Sequence, residues 1–163
     1  IEQKPYKIVG STTSDLRRQM DVLGPTDAKG RHDAYTTWYV RWTHPYESSA
    51  TGCSLGDVKV SVRVTYTLPE WKPPPDAAPD VVTRWNRYLS ALKTHEDGHK
   101  DHGIGAGRDV LAELRRLGTR STCAEAGSDA SAEGNRVLDR YRKKDHGYDT
   151  STNHGATQGA RFP

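Results

Sequence analysis

Alternation of apolar and polar residues is clearest between Val58 and Leu68. Val58, Val60, Val62, Val64 and Tyr66 alternate there with Lys59, Ser61, Arg63, Thr65 and Thr67, the period of two that buries one face of an antiparallel strand. A second run, Tyr35 to Trp42, is aromatic and β-branched and puts Trp38, Val40 and Trp42 on one face. Pro45, Gly52 and Gly56 lie between the two runs, so a hairpin with a long connection is predicted. Nearer the N-terminus, Tyr6 to Gly10 predicts an edge strand. Ser14 to Leu23 predicts a helix, because Leu16, Met20 and Leu23 recur at helical spacing before Gly24-Pro25 stops them.

Beyond Pro69 the period changes. Pro73-Pro74-Pro75 is a stiff linker, and Pro79 with Asp80 suits the first turn of a helix. Val81, Trp85, Tyr88, Leu89 and Leu92 form an apolar stripe that resumes at Val110, Leu111 and Leu114 and stops at Gly118. An unbroken helix from Pro79 to Leu117 would be ~58 Å long, against a radius of gyration of ~15 Å for a compact chain of this size. A bend or break near Gly103, Gly105 and Gly107, or an overhanging second half, is therefore predicted. A third helix is predicted over Ala130 to Lys144, with Val137, Leu138 and Tyr141 inward and Gly147 as its stop. Tyr148 to Pro163 is rich in Gly, Thr, Ser and Asn, has no period, and reads as a tail. The expected architecture is α+β: a small antiparallel sheet followed by three helices, in a single domain spanning 1–163. Residues 1–72 would be mainly strands and 79–147 mainly helices.

Composition narrows the function. Hydrophobic residues make up 33%, with one Phe but four Trp and eight Tyr, so large apolar surface comes from side chains with a polar end. The net charge of +3 is spread over interspersed Lys, Arg and acids, which gives nucleic-acid binding no footing. No apolar run approaches the ~20 residues needed to span a membrane. Cys53 and Cys123 do not form a Cys-x-x-Cys motif. Joined, they would close a loop worth about 4 kcal/mol in the chain-entropy model; two buried free thiols are the alternative. Because the chain opens on Ile1, a cleaved secretory signal is one expectation.

Residues 95–99 read His-Glu-Asp-Gly-His, a match to H-E-x-x-H. Residues four apart share a helix face, so His95 and His99 can reach one zinc ion. Glu96 then stands beside the ion, where it can deprotonate a water whose pKa zinc lowers to ~7. A solvated helix face carrying two His, or a purely structural metal site, is the bland alternative. A third ligand is needed. His102 continues the face, but ~10 Å of rise separates it from His95. Glu113, Glu125 and Glu133 are candidates from later helices, and Asp145, His146, Asp149 and His154 from the C-terminal segment.

The His95–His99 motif, Gly24-Pro25, the Trp38 strand, Leu68-Pro69, and Tyr148-Asp149 through His154-Gly155 together resemble a bacterial family, domain of unknown function 922. Its members are described as secreted Zn-dependent proteases. The resemblance covers nearly the whole chain and implies a secreted or periplasmic zinc metallopeptidase, zincin-like, with a small sheet packed beside the active-site helix. The metzincin third His is absent, its position being Gly105. Tyr148-Asp149 is similar to the aspzincin-like pattern without matching it. The expected metal ligands are His95, His99 and His154, with Asp149 and Glu133 next in line and 148–163 returning to the site. Glu96 is the expected general base, and Tyr148 the expected hydrogen-bond donor to the oxyanion of a peptide or protein substrate. Asp97 or Asp101 could steady a ligand imidazole. A secreted zinc-binding module without catalysis, and a zinc amidase acting on cell-wall material, are the rival readings.

Overall fold

The computed structural model describes residues 1–28 and 30–163. Two compact units share the chain: residues 1–37, 64–100 and 147–163 form one, and residues 38–63 and 101–146 the other.

The first unit is built on the front half of helix α2 (Pro79–Arg116). Val81, Trp85, Tyr88 and Leu92, the stripe read from the sequence, are buried with Ile8, Leu16, Met20, Ala34, Trp71 and Phe162. Helix α1 (Thr13–Leu23) is capped by Thr12, whose hydroxyl accepts from the Asp15 N–H at 3.1 Å. It stops at Gly24, where a side chain would collide with the His32 carbonyl. Strand β1 (Glu2–Gln3) pairs in parallel with the end of β8 (Lys59–Thr67), and β2 (Tyr6–Ile8) in parallel with β9 (Pro69–Trp71). The alternation predicted an antiparallel sheet, and these two short edge pairings depart from it: alternation reports which face is buried, not the direction in which a short edge strand joins. Pro69 begins β9, a short strand where its missing N–H is tolerated. A short hairpin of β3 (Thr26–Asp27) and β4 (Gly30–Arg31) leads into β5 (Tyr35–Thr43). Strand β5 flanks β8 in the three-stranded sheet.

The second unit has its own core of Val58, Ala106, Val110, Leu114, Ala130, Val137, Leu138 and Tyr141, with Trp38, Val40 and Trp42 packed on it. Between its long strands lies the hairpin of β6 (Tyr46–Ser49) and β7 (Gly52–Leu55). Cys53 on β7 is bonded to Cys123. No break interrupts α2 near its glycines, and the half beyond Asp101 carries a core of its own. A Cβ on Gly103 would sit 2.6 Å from the Trp38 Cβ, on Gly105 2.9 Å from the Tyr141 ring, and on Gly107 2.2 Å from a Val62 methyl. Those glycines admit neighbours closely while the backbone stays helical. Helix α3 (Cys123–Thr152) outruns its predicted limits at both ends. It starts in a capping box: Glu125 donates its N–H to the Thr122 hydroxyl at 3.2 Å, and Thr122 returns one to the Glu125 carboxylate at 3.2 Å. It also passes through Gly147. Among the described residues, no helix is long and apolar enough to cross a membrane.

Candidate metal centre

The site lies within the first unit, on three segments. Its floor is the turn of α2 that carries His95, Glu96 and His99. His95 and Glu96 are 3% and 4% exposed, on the face that continues the Leu92 stripe inward. The last turns of α3 supply Tyr148 and Asp149. After Thr152 the helix ends with Asn153 and His154 both at positive φ (48° and 51°) and Gly155 at 81°. Gly155 is required there twice over, because a Cβ would also come 2.9 Å from Cγ of His95. A short 3-10 turn, Ala156–Gln158, follows.

Three atoms converge. His95 Nε2 and His99 Nε2 are 3.3 Å apart. Asp149 Oδ1 lies 3.4 Å from the first and 3.0 Å from the second. On its other side, His95 Nδ1 is 3.0 Å from Gln158 Oε1, an atom that can only accept, so Nδ1 carries hydrogen. In that tautomer the inward Nε2 presents a lone pair to the centre of the triangle, where it can meet a cation or the His99 N–H. The 3.4 Å His95–Asp149 contact is longer than a charge-assisted hydrogen bond. His95, His99 and Asp149 could hold a metal ion. Burial acts to raise the Asp149 carboxyl, but its contacts with His95 and His99 outweigh it and hold the group well below the usual carboxylate range.

A family model described as a bacterial protein of unknown function (DUF922) matches residues 3–155. The chain belongs to this family. The matched stretch carries His95, Glu96, His99, Tyr148 and Asp149. No curated protein matches the chain, and no solved structure does.

In this DUF922 protein the third atom of the triangle comes from Asp149 rather than from His154. Because α3 runs on to Thr152, Asp149 is presented from a helical turn and reaches the two imidazoles. His154 sits past the helix end, largely exposed, with Nδ1 3.6 Å from Asp149 Oδ1. Five other candidates make contacts of their own. In the second unit, Glu133 pairs with Arg136, Glu113 with Arg116, and Glu125 caps α3. Also there, Asp145 accepts from Trp38 Nε1 at 2.5 Å and contacts His102 Nδ1 at 2.6 Å. Asp97 accepts from the Tyr66 hydroxyl at 2.5 Å and from Lys100 at 3.0 Å. Asp101 is exposed.

Glu96 is held by a residue that the sequence did not single out. The Thr36 hydroxyl donates to Glu96 Oε2 at 2.5 Å from β5. Burial pushes the Glu96 carboxyl above its ordinary value, while Thr36, His99 and His95 pull the other way. Tyr148 stacks on His95, ring centroids 4.9 Å apart and 11° from parallel, and meets His99 edge-on at 5.2 Å. It fits because residue 98 is Gly: a Cβ there would lie 2.4 Å from the Tyr148 ring. The Tyr148 hydroxyl accepts from Gln158 Nε2 at 3.0 Å. Thr36 and Gln158 are ordinary polar residues on a strand and in an aperiodic segment, so no sequence pattern marks them.

Proposed function

We propose that this chain is a zinc metallopeptidase working in an oxidising, extracytoplasmic compartment, with His95, His99 and Asp149 as metal ligands and Glu96 as general base. The triangle of donor atoms carries the reading. Ligands at 2.0–2.1 Å in a tetrahedral zinc site stand about 3.3 Å from one another, and the three edges here are 3.3, 3.4 and 3.0 Å. Three protein ligands, not four, is the pattern of zinc sites that keep a position for water or substrate. A bound zinc ion supplies a Lewis acid that polarises a carbonyl and acidifies water. Glu96 accepts a proton from the attacking water and returns it to the departing amine. Its burial suits that task by making the carboxylate a better proton acceptor. The Tyr148 hydroxyl, at the rim of the ligand pair, donates to the carbonyl oxygen as negative charge grows there. The Cys53–Cys123 bond supports the compartment.

Glu96→Gln tests the mechanism, since it keeps shape and removes the base. The variant should retain zinc by metal analysis and lose at least about 100-fold in hydrolysis of an unstructured protein substrate. Unchanged turnover removes Glu96 from the chemistry, and wild-type protein that takes up no zinc removes the whole reading.

A further inference from the structure

The C-terminal residues are anchored at both ends of a short path. Phe162 is 8% exposed and packs against Trp85 and Tyr88 with ring centroids 5.5 and 5.0 Å away. Gly155 sits against the His95 ring. Between these anchors the Gly155 carbonyl accepts from the N–H groups of Gln158 and Ala160 at 2.9 and 3.0 Å, folding the segment into one tight turn. That turn delivers a single side-chain amide to the site, with its oxygen on His95 Nδ1 and its nitrogen on the Tyr148 hydroxyl.

We infer that residues 155–163 act as a strap whose seating sets the metal affinity of the cluster, with Gln158 as the positioning residue. The inference rests on the reading of His95, His99 and Asp149 as metal ligands. A ligand imidazole needs its far nitrogen to carry the proton and its ring to be fixed, and an outer acceptor does both. A second polar atom near Nδ1, the Thr152 hydroxyl at 3.4 Å, already accepts from the Gly155 N–H at 3.2 Å. With the strap lifted, His95 loses both its acceptor and the Gly155 wall behind the ring. Tyr148, stacked on that ring, loses its contact with the Gln158 amide as well. Since seating the strap favours the metal, the metal must favour seating by the same factor.

The experiment is zinc titration of the full chain by competition with a chromophoric chelator, alongside amide hydrogen exchange. Gln158→Leu removes the acceptor at an exposed position and should weaken zinc about 10- to 100-fold. Gln158→Glu restores an acceptor for Nδ1 and should stay within a few-fold of wild type, an outcome that a merely space-filling role does not give. Zinc should slow exchange of amides 155–163 in the wild type, and by less in Gln158→Leu. Wild-type affinity in Gln158→Leu, or exchange of the segment indifferent to zinc, overturns the strap while leaving the metal centre standing. Wild-type protein that binds no zinc overturns the metal centre itself, and the strap with it.

Discussion

Thr36 reaches across sixty positions of sequence to hold Glu96, donating a 2.5 Å hydrogen bond to one carboxylate oxygen. A buried glutamate has several rotamers, and this bond selects one at the point where β5 passes the motif turn of α2. Removing a hydrogen bond to a charged group costs about 1.5–3 kcal/mol, or about 10- to 100-fold in rate if the bond serves the active carboxylate. Thr36→Val should therefore lose that much kcat/KM on a peptide substrate while holding zinc at wild-type stoichiometry. A variant that loses metal instead would make Thr36 a support of the fold.

The ligand set makes a sharper expectation about two neighbours in space. Asp149→Ala should lower zinc affinity far more than His154→Ala, because Asp149 Oδ1 is 3.0 and 3.4 Å from the two imidazole nitrogens, whereas His154 is largely exposed, with Nδ1 3.6 Å from Asp149 Oδ1 and its ring beside that of His32. Metal stoichiometry after dialysis against a weak chelator reads the difference. The reverse order would return His154 to the position expected from sequence.

What the sequence made legible follows from what each signal measures. The Val58–Tyr66 and Tyr35–Trp42 alternations and the Val81–Leu92 stripe report which face packs inward: Val58, Val64, Tyr66, Val81, Trp85, Tyr88 and Leu92 are buried, and Trp38, Val40 and Trp42 are partly buried against a core. The motif at 95–99 reports a helix turn and its chemistry. Direction of pairing in β1 and β2, two- and three-residue strands, leaves no periodic trace. Gly103, Gly105 and Gly107 signal small volume as readily as flexibility, and here Trp38, Tyr141 and Val62 use the space. Thr122 and Glu125 are a legible capping box that would have started α3 seven residues sooner. Gly147 hid its end, since a helix held by tertiary contacts can carry a glycine. With α3 cut short at Lys144, Asp149 read as a tail residue and ranked behind His154 as the third ligand.

Acid should act on the first unit through Asp33. Its carboxylate pairs with Arg17 and accepts from the Tyr88 hydroxyl at 2.6 Å, and its carbonyl accepts from Tyr6 at 2.7 Å. Burial alone would raise the carboxyl, but Arg17 and Tyr88 outweigh it and the group is lowered in the fold. A carboxyl lowered on folding contributes stability that is complete above its unfolded pKa of about 3.9 and is lost as pH falls below that toward the folded value. Urea unfolding at pH 6 and pH 3 should show wild type losing more stability than Asp33→Asn over the interval. Asp33→Asn should be the less stable protein at pH 6. Equal losses would place the acid sensitivity elsewhere.

The glycines of α2 offer a test whose sign decides the matter. If Gly103 and Gly107 were hinge positions in a helix, alanine would stabilise by up to about 1 kcal/mol through propensity alone. The geometry calls for the opposite. An added Cβ at Gly103 meets the Trp38 Cβ at 2.6 Å, and at Gly107 a Val62 methyl at 2.2 Å. Both partners belong to strands of the same unit and cannot retreat without opening its core. Overpacking of this kind costs about 1–3 kcal/mol. Gly103→Ala and Gly107→Ala should each lower the urea midpoint. Gly147→Ala, with nothing within 4 Å of its added Cβ, should raise it. A stabilising Gly107→Ala would mean that the second half of α2 is not packed against β8 as described.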